Sequence, residues 1–473
     1  MKNILILLTV LLPVFNCSAQ YSLIGDWNGT LDVNGAKLTL VLHIKDAGSG
    51  AMSGTWDSPA QGVYEKPCSS VTLSGDTATI AIAVVKGKFK GVFKTNDEIG
   101  GVWMQGGMIP MTLSRGDGKD AGPKRPQNPK PPFNYTSEDI LYYNADSSIR
   151  YGATITIPKG DGPFPAVLLI TGSGQQNRDE ELLGHKPFAV IADHLTNNGY
   201  VVLRVDDRGM GQTTGEVHHA TTRDFADDAT VSFNYLLSRK EVDKKKAGLL
   251  GHSEGGMIAE MMAAENKHID FIIMMAGPGE KLSQAMIEQN EALLQSKGIS
   301  QRSIDKYIVL YKEMVNTAIS TADSDRLRTA ITEEVKDWKY KTPDSIVVAI
   351  TGIHDETSEA AYIDLIAKLF AHPWWHYFLS YDPVPDIEKI SCKVLALNGD
   401  KDIQVVPKTN LQGLREALAK SKSKDYEVKL MPGLNHLFQT CHTCTFPEYQ
   451  QLEETVAPVA LQTMSDWLDK HVK

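Results

Sequence analysis

Five short, almost wholly apolar runs, at residues 165–170, 201–205, 247–250, 271–275 and 394–397, constrain this chain more than any other feature. A strand buried on one face alternates apolar and polar residues, whereas a run without alternation suits a strand covered on both faces. Helical patterns occupy 187–197 and 222–238, between these runs. Strands alternating with helices form a mainly parallel sheet joined by right-handed crossovers. The expected class is therefore α/β, with a two-strand hairpin over 140–157 ahead of the first run.

One interval breaks the alternation. Ile304, Tyr307, Ile308, Tyr311, Met314 and Val315 fall at helical spacing, so 280–385 reads as a helical cap inserted into a catalytic domain of residues 135–279 and 386–473. Upstream, 20–115 reads as an antiparallel β domain of short strands and tight turns, with no acid–base constellation and hence an accessory role. Pro123, Pro126, Pro129, Pro131 and Pro132 mark 116–134 as an extended linker. At the start, Lys2 precedes an apolar run over 4–15 that ends at Cys17-Ser18-Ala19, the pattern of a signal peptide of residues 1–19. That run is short for a membrane span, which takes about 20 residues. The mature chain is thus expected to be exported, periplasmic or secreted, with no stable membrane insertion. Lipidation at Cys17 is the less favoured alternative, because Asn16 is a poor residue before such a cysteine. The net charge of −10 leaves no basic surplus for phosphate backbones, which argues against a nucleic-acid partner. Nothing in the sequence specifies an oligomeric state.

Gly251-His252-Ser253-Glu254-Gly255-Gly256 joins the run at 247–250 to a helix beginning near Met257. A G-x-S-x-G pattern between strand and helix is a nucleophile elbow, which projects a serine hydroxyl above the sheet and identifies the α/β-hydrolase fold. A serine hydroxyl needs a base, and the base needs an orienting acid. Asn398-Gly399-Asp400-Lys401-Asp402 follows a buried strand, and Asp402, three residues past Gly399, is favoured over Asp400 as the acid. Pro432-Gly433-Leu434-Asn435-His436 follows the last strand and supplies His436 as the base. The backbone N–H of Glu254 is one expected oxyanion donor, and Ser173 or Gly174, in the loop after Ile170, gives the other. Arg178 and Arg208 read as loop-holding residues rather than substrate contacts.

Thr171-Gly172-Ser173-Gly174, Asp206-Asp207-Arg208-Gly209-Met210-Gly211, the elbow, Asn398-Gly399-Asp400-Lys401-Asp402 and the segment from Trp374 to Pro383 together resemble the EstD-type bacterial carboxylesterases. The resemblance runs from about residue 135 to the end. It departs at Gln175-Gln176-Asn177, where Pro-Gln-Asp is expected. It implies hydrolysis of small carboxylic esters, of short to medium acyl chain, by a Ser–Asp–His triad. Trp374, Trp375, Tyr377 and Phe378 are candidates for an apolar substrate wall, with plain cap packing as the alternative. A prolyl-oligopeptidase-like peptidase and an acyltransferase or thioesterase use the same triad. The peptidase would carry a propeller for which 20–115 is too short. Cys441-His442-Thr443-Cys444 leaves a disulfide-closed loop and packed free thiols both open. A metal there wants four ligands, and no second pair is suitably spaced, so no metal and no cofactor is expected.

Overall fold

The computed structural model describes residues 21–33, 36–58, 63–117 and 124–473. The signal-peptide reading of residues 1–19 lies outside the described residues. The chain divides into two compact units, Met1–Gly122 and Pro123–Lys473.

The first unit is an antiparallel barrel. Among the described residues nine strands, from Gly25–Val33 to Met108–Arg115, pair with their neighbours, and Ala36–Gly48 pairs with both Gly25–Val33 and Ala51–Ser58, which closes the sheet. Alternation explains the closure: Gly87–Thr95 buries every second residue from Gly87 to Phe93, and the inward set fills the barrel with Trp27, Phe89 and Trp103. Arg115 lies 4.3 Å from the Trp27 ring and covers it.

In the second unit we number the strands β1 (Thr136–Tyr143), β2 (Arg150–Ile157), β3 (Phe164–Ile170), β4 (Val201–Val205), β5 (Val242–His252), β6 (Phe271–Met275), β7 (Lys393–Gly399) and β8 (Tyr426–Met431). Their order is β1-β2-β4-β3-β5-β6-β7-β8; β1, β2 and β4 pair antiparallel and every later pair is parallel. The apolar runs are the central strands. In β3, Ala166, Leu168 and Ile170 join one core, whereas Val167 and Leu169 join the other, so both faces demand apolar side chains.

Helices α1 (Pro187–Asn197) and α13 (Pro458–His471) cover one face, and α2 (Thr222–Ser238), α3 (Glu254–Glu265) and α11 (Pro407–Lys420) cover the other; the short α12 (Phe446–Gln451) precedes α13. The α2 start is fixed by Asp224, whose carboxylate accepts the Thr221 backbone N–H at 2.8 Å. Between β6 and β7 lie α4 (Leu282–Ser296), α5 (Gln301–Ser320), α6 (Ser324–Lys341), α7 (Asp344–Thr351), α8 (Glu356–Phe370), α9 (Pro373–Ser380) and the short α10 (Val384–Ile387). Ile304, Tyr307, Ile308, Tyr311, Met314 and Val315 join Leu327, Ile331, Val335 and Trp338 in a core separate from the two around the sheet. Residues from 124 onward differ from a loose connector. The Arg125 guanidinium donates to the carbonyls of Leu452, Leu183 and Gln450 at 2.7–2.9 Å, and Gln127 donates to Val456 at 2.7 Å. Lys and Asn among prolines suggested solvation, but these carbonyls supply specific partners.

Glu260 on α3 is an anomaly of this core. It is fully buried, and neither carboxylate oxygen has a hydrogen-bond partner among the described residues. Burial pushes its pKa well above the ordinary carboxylate range, and the charge of Asp386 adds to the shift. An acid whose folded pKa is raised stabilises the fold best below its unfolded pKa, and that contribution is lost as pH rises. Glu260→Met is therefore expected to stabilise the protein by about 1–3 kcal/mol at neutral pH. Denaturant melts at several pH values check this: the gain should grow from acid toward alkaline pH.

Candidate active site

The elbow is built by close backbone approach. A Cβ on Gly251 would lie 2.0 Å from the Gly255 carbonyl oxygen, and one on Gly255 would lie 2.1 Å from that of Ile170. The turn itself falls on Ser253, with φ 52° and ψ −117°, a strained setting for a non-glycine residue. Its amide donates to the Met275 carbonyl at 2.8 Å, which pins the elbow to β6. Glu254 opens α3, so its N–H lies outside the intrahelical ladder.

Asp402 and His436 meet as the spacing suggested. The His436 Nδ1 lies 2.8 Å from Asp402 Oδ2, and both side chains are buried. Asp402 is held on every side: Asn398 donates to Oδ2 at 3.0 Å, and the Gln404 and Val405 amides donate to Oδ1 at 2.7 and 2.9 Å. Asp400 points elsewhere and accepts the Gly433 N–H at 2.6 Å, bracing the loop that leads to His436.

Ser253, Glu254, His436 and Ser173 line one cavity of about 370 Å³, a size that suits a small organic ligand. Gly174 does not line it. With φ 95°, the loop turns at Gly174, which lines two neighbouring cavities, whereas Ser173 lines the one that holds Ser253. Trp374, Trp375 and Phe378 line the cavity too, but Tyr377 does not. Tyr377 projects from another side of α9 and stacks on Tyr381, 6.3 Å between ring centres. Met286, Leu282 and Ala285 from α4 complete an apolar wall, and Gln404, Leu437 and Tyr449 face it. No lysine or arginine lines this cavity among the described residues.

The side chains of two acids near the cavity carried no role in the sequence reading. Glu180 Oε1 accepts the Gly172 N–H at 2.7 Å and lies 2.9 Å from His252 Nδ1. His252 Nε2 lies 3.0 Å from the His436 carbonyl oxygen. Two acceptors on one ring call for two N–H groups, the imidazolium form. Desolvation of the fully buried ring opposes that charge, but Glu180 and the His436 carbonyl more than offset it and the pKa rises. This pair joins the Gly172 loop, the elbow and the His436 backbone. Its only signal in sequence is an acid that burial would force into a partnership. Glu254 is the second acid: Thr222 Oγ1 and Trp374 Nε1 donate to its Oε1 at 2.6 and 2.7 Å. Burial raises its pKa against those bonds. Another cavity histidine, His185, is kept neutral by burial, with a pKa lowered to about 4.

The loop-holding reading of the arginines fits their bonds. Arg178 binds Asp206 through Nε and Nη2, at 3.0 and 2.6 Å, and also reaches Asp139 and Gln212. Arg208 grips Asp228 at 2.8 and 2.9 Å. Asp207 accepts the Thr171 hydroxyl and the Gln176 amide, and burial pushes its carboxyl up to about 8. Cys441 and Cys444 form a disulfide, so of the two readings left open the loop is the closed one. Glu448 braces that loop by accepting the His442 and Cys444 amides.

The profile of the family described as serine aminopeptidase, S33, matches residues 186–440, more than half of the chain, and spans Ser253, Asp402 and His436. Esterase EstD of Thermotoga maritima is 35% identical over 158 residues, 33% of this chain and 37% of that protein. Acyl-coenzyme A thioesterase 3 of Mus musculus is 26% identical over 193 residues, 40% of this chain and 41% of that protein. The aligned part is thus well under half the length of these relatives. Among solved structures, an esterase of Pyrococcus furiosus superposes with a TM-score of 0.42 at 13% identity, covering 72% of this chain and 92% of its own. With its family profile, strand order and elbow in agreement, the chain belongs to the serine aminopeptidase S33 family of α/β-hydrolases.

Proposed function

We propose that this chain is a serine carboxylesterase acting on small esters of short to medium acyl chain. The observation that carries the reading is the convergence of Ser253 and His436 on one apolar-walled cavity, with His436 Nδ1 held by the buried Asp402. Ser253 Oγ attacks the ester carbonyl while His436 Nε2 takes its proton. The amides of Glu254 and Ser173 receive the oxyanion. His436 then returns the proton to the departing alkoxide, which leaves an acyl-enzyme. Water, deprotonated by the same imidazole, releases the acid and restores Ser253.

The cavity's charges favour esters over the two rival substrates. An acyl-coenzyme A thioester carries phosphates, yet the cavity lining holds no lysine or arginine among the described residues. An aminopeptidase needs a carboxylate for the substrate ammonium, but Glu180 is committed to His252 and Gly172, and Glu254 to Thr222 and Trp374. The test is a direct competition of substrates: aryl esters of increasing chain length, aminoacyl anilides and acyl-coenzyme A. Esters are expected to give the highest kcat/KM. Faster turnover of anilides or of acyl-coenzyme A would overturn the assignment.

Glu180 acts in this reading as a positioning residue. Glu180→Gln is expected to lower kcat by on the order of 10- to 100-fold, because small displacements of a base are costly, with KM nearly unchanged. Steady-state kinetics at saturating and limiting ester check the split. The reading extends to location: the apolar segment before Ala19 and the Cys441–Cys444 disulfide both suit an exported enzyme.

A further inference from the structure

Beside the catalytic cavity lies a second one, of about 580 Å³, on the other side of Trp374 and Trp375. The two indoles line both cavities, and the loop after β3 divides them in the same way. Gly172 and Ser173 face the inner cavity, whereas Gly174 and Gln175 face the outer one. The partition is held in place, since Trp374 Nε1 donates to the buried Glu254 at 2.7 Å and the two rings pack edge to face, 4.9 Å apart.

The outer walls are apolar, formed by Val217, Phe225, Leu365 and Leu369 together with the tryptophans. Leu365 is 64% exposed and Leu369 38%, an exposure that α8 has no packing reason to accept. The polar groups in the lining share one character. They are Lys368, His218, His372 and Gln175, with no aspartate or glutamate. Lys368 forms no ion pair among the described residues; Glu216 lies outside the lining, accepts the His218 amide and keeps its charge on the His218 side, away from Lys368 in the chain. His372 Nδ1 accepts the Trp374 amide at 3.2 Å, which leaves its Nε2–H as a donor. The His218 ring meets that of His372 edge-on, 5.6 Å away. A large apolar volume edged by donors and the unpaired Lys368, with no carboxylate in its lining among the described residues, matches an amphipathic organic anion.

We propose that this outer cavity is a binding site for an apolar organic anion, a carboxylate or sulfonate on a hydrophobic body, separate from the cavity that holds Ser253. The ligand's body lies along Leu365, Leu369 and Phe225, and its anionic end meets Lys368 and His372. The site does not depend on the ester reading, because it needs no step of catalysis.

The test is titration with 8-anilinonaphthalene-1-sulfonate, followed by its fluorescence, with decanoate and 1-decanol as competitors. Saturable binding is expected, with decanoate displacing the probe at least about tenfold better than decanol. Lys368→Glu and Leu369→Asp are each expected to weaken binding by about tenfold or more, the loss of roughly one charge contact or one apolar wall. Binding should survive phosphonylation of Ser253, and both variants should keep wild-type thermal melts and wild-type turnover of a short neutral ester. The absence of saturable binding would overturn the proposal, as would affinity unchanged in both variants, or loss of binding on phosphonylation. A loss confined to Leu369→Asp, with decanol competing as well as decanoate, would overturn the anionic class. Failure of the ester reading would show separately, as a protein that binds the probe but hydrolyses no ester.

Discussion

Ser253→Ala is expected to lower kcat/KM toward an aryl ester by on the order of 10⁵- to 10⁶-fold, with little change in thermal stability. The size follows from the elbow. In the proposed mechanism all of the nucleophilic attack runs through one hydroxyl, and the neighbouring donors stabilise an oxyanion only after that attack. Alanine also tolerates the position no worse than serine, because the strain at φ 52° belongs to any side chain there. His436→Ala should lose a similar factor, and the double variant should lose scarcely more than either single one, since the two groups act in one step. Three kinetic measurements and a melt of each variant check this. Losses that multiply in the double variant would mean that Ser253 and His436 act independently.

Asp402→Asn is expected to cost on the order of 10⁴-fold in kcat, against less than about tenfold for Asp400→Asn. The contrast comes from their partners. Asp402 sits against His436 Nδ1 with its other oxygen filled by two amides, so it fixes the ring and stabilises the imidazolium. An asparagine would place an N–H₂ where an acceptor is needed, or lose the amides, and the imidazole would change tautomer. Asp400 accepts one backbone N–H, from Gly433, a bond that the asparagine oxygen can also make. The reverse ranking, measured as kcat on one ester, would reassign the acid.

How much of this was legible in the sequence depended on whether the information was local. The central strands showed because both faces of each are buried, which removes polar alternation over 165–170 and 271–275. The elbow showed because Gly251 and Gly255 meet backbone, where no side chain fits. Asp402 and His436 showed as residues at strand ends, a matter of counting. Tyr377 was legible in principle: at about 100° per residue, Trp374, Trp375 and Phe378 share a stripe on α9 and Tyr377 falls off it. The Glu180–His252 pair was not legible. It joins residues 72 apart in the chain, and nothing near either one names the other. The disulfide needed distance information too, since the Cys441–Cys444 Cα separation of 5.0 Å depends on a backbone turn that the sequence does not specify. The same holds for residues from 124 onward, whose prolines suggested a spacer until their carbonyl partners on other elements were placed.

The central claim is that Ser253 is a nucleophile activated by His436. Its most direct test is reaction of the intact protein with a fluorophosphonate, followed by peptide mapping of the adduct. One phosphonyl group on Ser253 is expected, absent in Ser253→Ala and formed far more slowly in His436→Ala. An adduct on another residue, or ester hydrolysis by a protein that Ser253 never lets the reagent label, would contradict the account.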